Sequence, residues 1–170
     1  MTITRLSTAF LCALTLGAPA YAQSAIDNPE CVAPANPGGG FDLTCRVAQT
    51  GLQPHVSEPV QVTFVPGGIG AVAFNQFNTN RTDDGSAIVA WSTGSLLNII
   101  LGKYGEFDEN DVRWLATAGA DFGAVVVSAD SEYNSLKDVM DDLASDPQSV
   151  VVGAGGSVGS QDWMKGALLM

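Results

Sequence analysis

The sequence predicts an α/β protein with a mostly parallel sheet, and three observations carry that expectation. Short apolar runs of strand character alternate along the chain with segments of helical periodicity. Glycine-rich corners stand between several of those runs and the helices that follow. The spacing of each pair is that of a βαβ unit, whose strands lie parallel and whose crossover is right-handed.

The elements follow in order. CVAPA at 31–35 reads as a short strand, and DLTCRVAQTGL at 42–52 as a helix with apolar or small residues at Leu43, Cys45, Val47, Ala48 and Leu52. VQVTFV at 60–65 is the next strand. IGAVAFNQFN at 69–78 is a helix with Ile69, Val72, Ala73 and Phe77 on one side. DDGSAIVAW at 83–91 is a turn, marked by Asp-Gly, leading into a strand. GSLLNIILG at 94–102 is a short apolar helix. WLATAG at 114–119, GAVVVS at 123–128 and SVVVG at 149–153 read as strands. SLKDVMDDLAS at 135–145 is an amphipathic helix with Leu136, Val139, Met140 and Leu143 inward, and SQDWMKGALLM opens a last helix. The pattern restarts near 118–124, which divides the chain into residues 23–120 and 121–170.

Residues 1–22 read as a cleavable export signal rather than a retained anchor. Arg5 supplies the positive end, residues 6–16 the apolar stretch, and Ala20-Tyr21-Ala22 the small-x-small cleavage pattern. The apolar stretch falls short of the ~20 residues a bilayer span needs. A soluble, exported protein is expected, in a bacterial periplasm. Its end at GALLM, inside a helical pattern, reads as that of a fragment.

The formal net charge is −11, and losing Arg5 with the signal lowers it by one, to −12. Nucleic acid and anionic membrane, which need clustered Lys and Arg, are therefore poor partners. An anionic small molecule is not excluded, because backbone N–H groups at helix N-termini bind anions without basic side chains. The acids are scattered, apart from EFDEND at 106–111, which reads as a solvated turn.

Cys12 leaves with the signal, and Cys31 and Cys45 remain in an oxidising compartment. Cys31 lies ~10 Å back from the end of its strand, and Cys45 ~8 Å along its helix. The depths match, so a strand-to-helix disulfide and two buried free thiols both stand, since depth does not fix the Cβ directions.

Four corners carry the candidate site. They are Pro37-Gly38-Gly39-Gly40-Phe41-Asp42, Pro66-Gly67-Gly68-Ile69-Gly70, Ser92-Thr93-Gly94-Ser95, and Gly153-Ala154-Gly155-Gly156-Ser157-Val158-Gly159-Ser160. In a parallel sheet such corners gather at the carboxyl edge of the strands, where open α/β folds bind ligands. Each following helix adds unpaired N–H groups and the positive end of its dipole. Glycine leaves room for an anion to reach the backbone. Asp42 fits two roles: a helix cap near the N-terminus, or a carboxylate facing a ligand ammonium, a protonated group or an ordered water.

Other chemistries fare worse. GxxxxGK[ST] is absent, and Gly153, Gly155 and Gly159 miss the dinucleotide spacing by one residue. With one His and no clustered Cys, neither a metal nor any other cofactor is expected. His55 falls in an exposed polar connection. Gly155-Gly156-Ser157-Val158-Gly159 matches G-x-S-x-G, so a secreted serine hydrolase with Ser157 as nucleophile is the alternative. That enzyme needs an acid and a histidine after Ser157, whereas His55 precedes it.

The succession PANPGGGFDLTCR, VPGGIGA, DDGSAIVAWSTGS and, after a long gap, VVVGAGGSVGSQDW resembles the substrate-binding receptors of tripartite tricarboxylate transporters, the TctC or Bug family. The similarity runs across essentially the whole segment after the signal. It implies a periplasmic-binding-protein-like fold of two α/β lobes, with residues 23–120 in the first lobe and 121–170 beginning a truncated second one. It implies a monomeric, non-enzymatic receptor that closes on a small di- or tricarboxylate and delivers it to an integral-membrane permease. Gly38 to Asp42 and Pro66 to Gly70 would then be pincers on one carboxylate, Ser92 to Ser95 would face the same cleft, and Gly155 to Ser160 would reach it from the second lobe. The second corner is shorter than the family's PGAGG form, and Phe41 stands where a small or hydroxyl residue is common.

Overall fold

The computed structural model describes residues 26–170. The segment 1–22, expected to be an export signal, lies outside the described residues. The described residues are mixed α/β, built on a small three-stranded parallel sheet and five helices. The strands are β1 (Glu30–Ala33), β2 (Gln61–Phe64) and β3 (Ala87–Val89), and the helices are α1 (Gly40–Leu52), α2 (Ala71–Thr79), α3 (Thr93–Ile100), α4 (Leu136–Ser145) and α5 (Gln161–Leu169). Short 3-10 turns occupy Gln53–His55 and Gly68–Gly70.

The strand order is β2-β1-β3. Ala33 pairs with Phe64, and Val32 with Val89. The chain therefore winds outward through α1 to β2, then crosses back past β1 through α2 to β3. β1 is central, and Cys31, Val32 and Ala33 are all fully buried. Covering on both faces is what makes a parallel strand read as an unbroken apolar run.

Two apolar clusters hold the layers together. Cys31, Ala33, Cys45 and Ala90 join Phe41, Ala48, Val62, Phe64 and Ile88 between α1 and the sheet. There the Cys31 and Cys45 sulfurs are bonded, with Cα atoms 5.4 Å apart. Phe74, Ile99 and Tyr104 pack with Ala71, Trp91, Phe107 and Val112. At the amino edge of the sheet, the Arg81 guanidinium pairs with Glu30 and Asp84 and lies 4.4 Å over the Phe77 ring.

Three expected strands do not form. Residues 114–119, 123–128 and 149–153 carry no ladder hydrogen bonds, and Leu115, Val126 and Val151 stand exposed. Their β-branched content is strand-like, but a strand exists only by pairing, and no neighbouring strand takes up their backbone groups among the described residues. The inward face of α2 is also corrected: Ala73 and Phe74 are buried, while Val72 is half exposed. The turn at Gly68–Gly70 delays the helix start to Ala71 and rotates it. In α4 only Val139 is buried, with Leu136 exposed.

Candidate functional site

Parallel pairing puts the first three corners on one edge of the sheet. The Val65 N–H donates to Ala33 O and the Ala90 N–H to Val32 O, so the chain leaves all three strands side by side. Ligands of open α/β sheets bind at this edge.

The second corner has the most unusual backbone. Gly67, Gly68, Ile69 and Gly70 hold φ of 135°, 56°, 58° and 103°, four successive residues in the left-handed half of the map. Crowding also demands glycine here, since a Cβ on Gly67 would sit 2.6 Å from Val72 Cγ2 and one on Gly70 3.1 Å from the Trp91 ring. Ile69 is β-branched and strained in this region, at a typical cost of ~1–3 kcal/mol. Two hydroxyls hold it there. Ser95 Oγ donates to Ile69 O at 2.9 Å, and Tyr104 Oη donates to the same oxygen at 2.6 Å. Burial pushes the Tyr104 phenol above its ordinary pKa, against the opposing pull of hydrogen bonds with Ser95 and Asn98, so it stays a donor at neutral pH. The turn spends the N–H groups of Gly70 and Val72 on Gly67 O and that of Ala71 on Gly68 O. The N–H groups of Gly68 and Ile69 find no acceptor among the described residues.

The end of α3 brings a cation to the same place. Gly102 takes φ 67° just past the helix; its N–H donates to Ile99 O, and the Lys103 N–H reaches back to Asn98 O at 2.9 Å. This paired closure is a Schellman turn, and it needs a residue without a Cβ at the reversal. It folds Lys103 and Tyr104 back against α3. Together with Gly68, Ile69, Ala71, Asn98, Ser157 and Val158 they line a cavity of about 350 Å³. That is within the ~300–1,000 Å³ range of small-molecule pockets. Lys103 is the one charged residue in the lining and has no ion-pair partner among the described residues.

The third corner caps α3. Ser92 Oγ accepts from the Ser95 N–H, and Gly94 is buried. Gly94 admits close approach, since a Cβ there would lie 3.0 Å from the backbone of Gln161 at the start of α5. Thr93 is exposed.

The fourth corner docks on this assembly but not in the expected way. It follows no strand, since 149–153 is unpaired. Buried Asn98 instead anchors it, donating through Nδ2 to Gly94 O and to Gly159 O, at 3.0 and 2.9 Å. Gly156 and Gly159 hold φ of 79° and 89°. Ser160 caps α5, accepting from the Trp163 N–H and donating to Gly155 O. Ser157 and Val158 reach the cavity, while Gly155 and Gly156 are exposed and outside its lining.

The first corner stands apart from the lining. Gly38, Gly39 and Gly40 are exposed, and Gly38 holds φ 92°. Asp42, 5% exposed, turns back onto its own corner, where Oδ2 accepts from the Gly38 N–H at 2.7 Å. Arg46 Nε lies 2.8 Å from Oδ1, an ion pair without a well-directed hydrogen bond, so that oxygen is buried and only electrostatically matched. Asp42 thus closes its own corner through Gly38 and pairs with Arg46, and α1 has no side-chain hydrogen bond at its N-cap, Gly39. Phe41 packs into the core rather than toward the cavity.

The G-x-S-x-G match lacks the geometry of a nucleophile elbow. No strand precedes it, and Ser157 is outside the left-handed region that such a strained turn imposes. His55 is exposed on the 3-10 turn after α1, at the edge from which the chain enters β2. Among the described residues no grouping of three His, Cys, Asp or Glu side chains could hold a metal, and no helix is long and apolar enough to cross a membrane.

Asn98, Lys103 and Tyr104 belong to the site without having been anticipated. The signal for two of them was the Leu-Gly-Lys-Tyr stretch at 101–104, a C-terminal helix glycine that sends the next residues back over the helix. Comparison of the chain with protein-family models, with curated proteins and with solved structures found no match.

Proposed function

We propose that this chain is the ligand-binding part of an exported receptor for a small di- or tricarboxylate, passed on to a membrane permease of the tripartite tricarboxylate type. Its two lobes, drawn from residues 23–120 and 121–170, close on the acid in the periplasm. One observation carries the reading. The left-handed turn at Gly67–Gly70 leaves two adjacent N–H groups unspent on the rim of a cavity whose one charged side chain is Lys103. The N-terminus of α2, at Ala71, borders it, and the Ser95–Ile69 and Asn98–Gly159 hydrogen bonds tie α3 and the fourth corner to the same assembly. The α2 dipole adds positive potential in a chain whose net charge is −11. A ligand that favours the closed arrangement makes closure ligand-dependent.

The test is a thermal-shift screen of the protein with mono-, di- and tricarboxylates, followed by calorimetry on the acids that respond. A saturable rise in Tm with at least one acid is expected, because a ligand that binds only the folded state stabilises it. No response across the panel, or labelling of Ser157 by an active-site phosphonate, overturns the proposal.

A further inference from the structure

We infer that Lys103 is the residue that reads ligand charge, giving the cavity its preference for acids with a second carboxylate. The inference rests on the carboxylate reading above and deepens it. The cavity has two separate sources of positive potential. One is backbone: the N–H groups of Gly68 and Ile69, two lining residues that donate to no acceptor among the described residues, in a turn held by Ser95 and Tyr104. The other is Lys103, which lines the same cavity and whose ammonium forms no ion pair among the described residues. Two neutral amides suffice for one carboxylate, and helix N-termini routinely do this without a cation. An added ammonium is surplus to a monoanion and matched to a second negative group.

Position supports the division of labour. Lys103 is held at its backbone by the Gly102 reversal, through its own N–H to Asn98 O, and the next residue clamps Ile69 O. The Lys103 backbone and the amide turn are therefore joined through α3 and Tyr104, and the side chain starts from a fixed point beside the turn. The side chain itself is exposed. It can reach a ligand without the penalty of a buried unpaired charge, and its attraction to a dianion is open to screening by salt.

The experiment compares butyrate, succinate and citrate by calorimetry on the wild type, Lys103→Met and Lys103→Arg. Met keeps the apolar stem and removes the charge, while Arg keeps the charge. Succinate or citrate is expected to bind the wild type more tightly than butyrate. Lys103→Met should weaken the di- or tricarboxylate by roughly tenfold or more, the scale of a charge-assisted hydrogen bond. The same change should leave butyrate within about twofold and should remove most of the excess salt dependence. Lys103→Arg should retain the preference. Binding of these acids that Lys103→Met leaves unchanged overturns the assignment of Lys103 and leaves the receptor reading standing. Absence of binding by all three acids, in a wild type that unfolds cooperatively, overturns both.

Discussion

Ile69 shows how far a single residue departs from what its neighbours in sequence permit. Gly67, Gly68 and Gly70 announce a turn by composition, and the structure uses them as left-handed positions. Ile69 between them does not announce itself, because β-branched residues avoid that region. What holds it are hydroxyls 26 and 35 residues further on, at Ser95 and Tyr104. No local pattern encodes that pairing, so the corner was legible and its clamp was not. Tyr104→Phe should therefore lower stability by about 0.5–1.5 kcal/mol, the net worth of one hydrogen bond, measured by urea denaturation. Gly70→Ala should cost more, ~1–3 kcal/mol, since it adds a left-handed Cβ pressed against Trp91. A Gly70→Ala variant as stable as wild type, with unchanged tryptophan near-UV dichroism, would mean that this corner relaxes freely. Asp42 teaches a similar lesson. Its place in the first turn of α1 was readable, but its partners Gly38 and Arg46 show a carboxylate occupied within its own corner.

At the scale of elements, the βα alternation through residue 100 could be read directly, because each strand has a partner and each helix a face to bury. Beyond it the same apolar patterns failed at 114–119, 123–128 and 149–153, since pairing is a property of two segments and a one-dimensional pattern sees only one. The disulfide joins two elements that were both predicted, and what sequence could not supply was the direction of the Cβ vectors. It closes a loop with a sequence separation of 14 between α1 and the central strand. Reduction, or the double replacement by Ala, should lower the unfolding free energy by about 3 kcal/mol on loop-entropy grounds, read from denaturation curves with and without a thiol reductant. A pH effect belongs to the amino edge of the sheet. Hydrogen bonds from Ser86, then from Arg81, lower the Asp84 pKa to about 2. Because the folded value is depressed, the stabilisation is complete above the ordinary 3.8 and is lost as pH falls toward 2. Asp84→Asn should flatten the dependence of stability on pH between about 4 and 2 relative to wild type, in acid titrations followed by circular dichroism. Parallel curves for the two proteins would show that Asp84 contributes no such linkage.

At the scale of the whole molecule, one side chain joins the late part of the chain to the sheet-bearing part. Asn98 is 2% exposed and sits in α3, yet its amide donates to Gly94 within that helix and to Gly159 sixty-one residues later. The glycine at 94 lets the start of α5 come close, with Gln161 about as near as a Cβ would allow. The contact thus includes a buried amide bridging two carbonyls across a glycine-thinned seam, and neither apolar cluster takes in a residue beyond Val112. Such a seam should open more easily than the core around Val32 and Cys45, because local stability follows buried apolar contact. Asn98→Leu keeps the volume and removes the donor, leaving both carbonyls without their side-chain partner at ~1–3 kcal/mol for a buried unsatisfied group. Hydrogen exchange should then quicken by about ten- to a hundredfold at residues 159–165, given that ~1.4 kcal/mol is a factor of ten. Protection in β1, β2 and β3 should change far less. If exchange instead rises equally throughout, Asn98 supports global folding and the seam is no separate unit. If 159–165 keeps its wild-type protection, the docking of the fourth corner beside the cavity depends on something other than this amide.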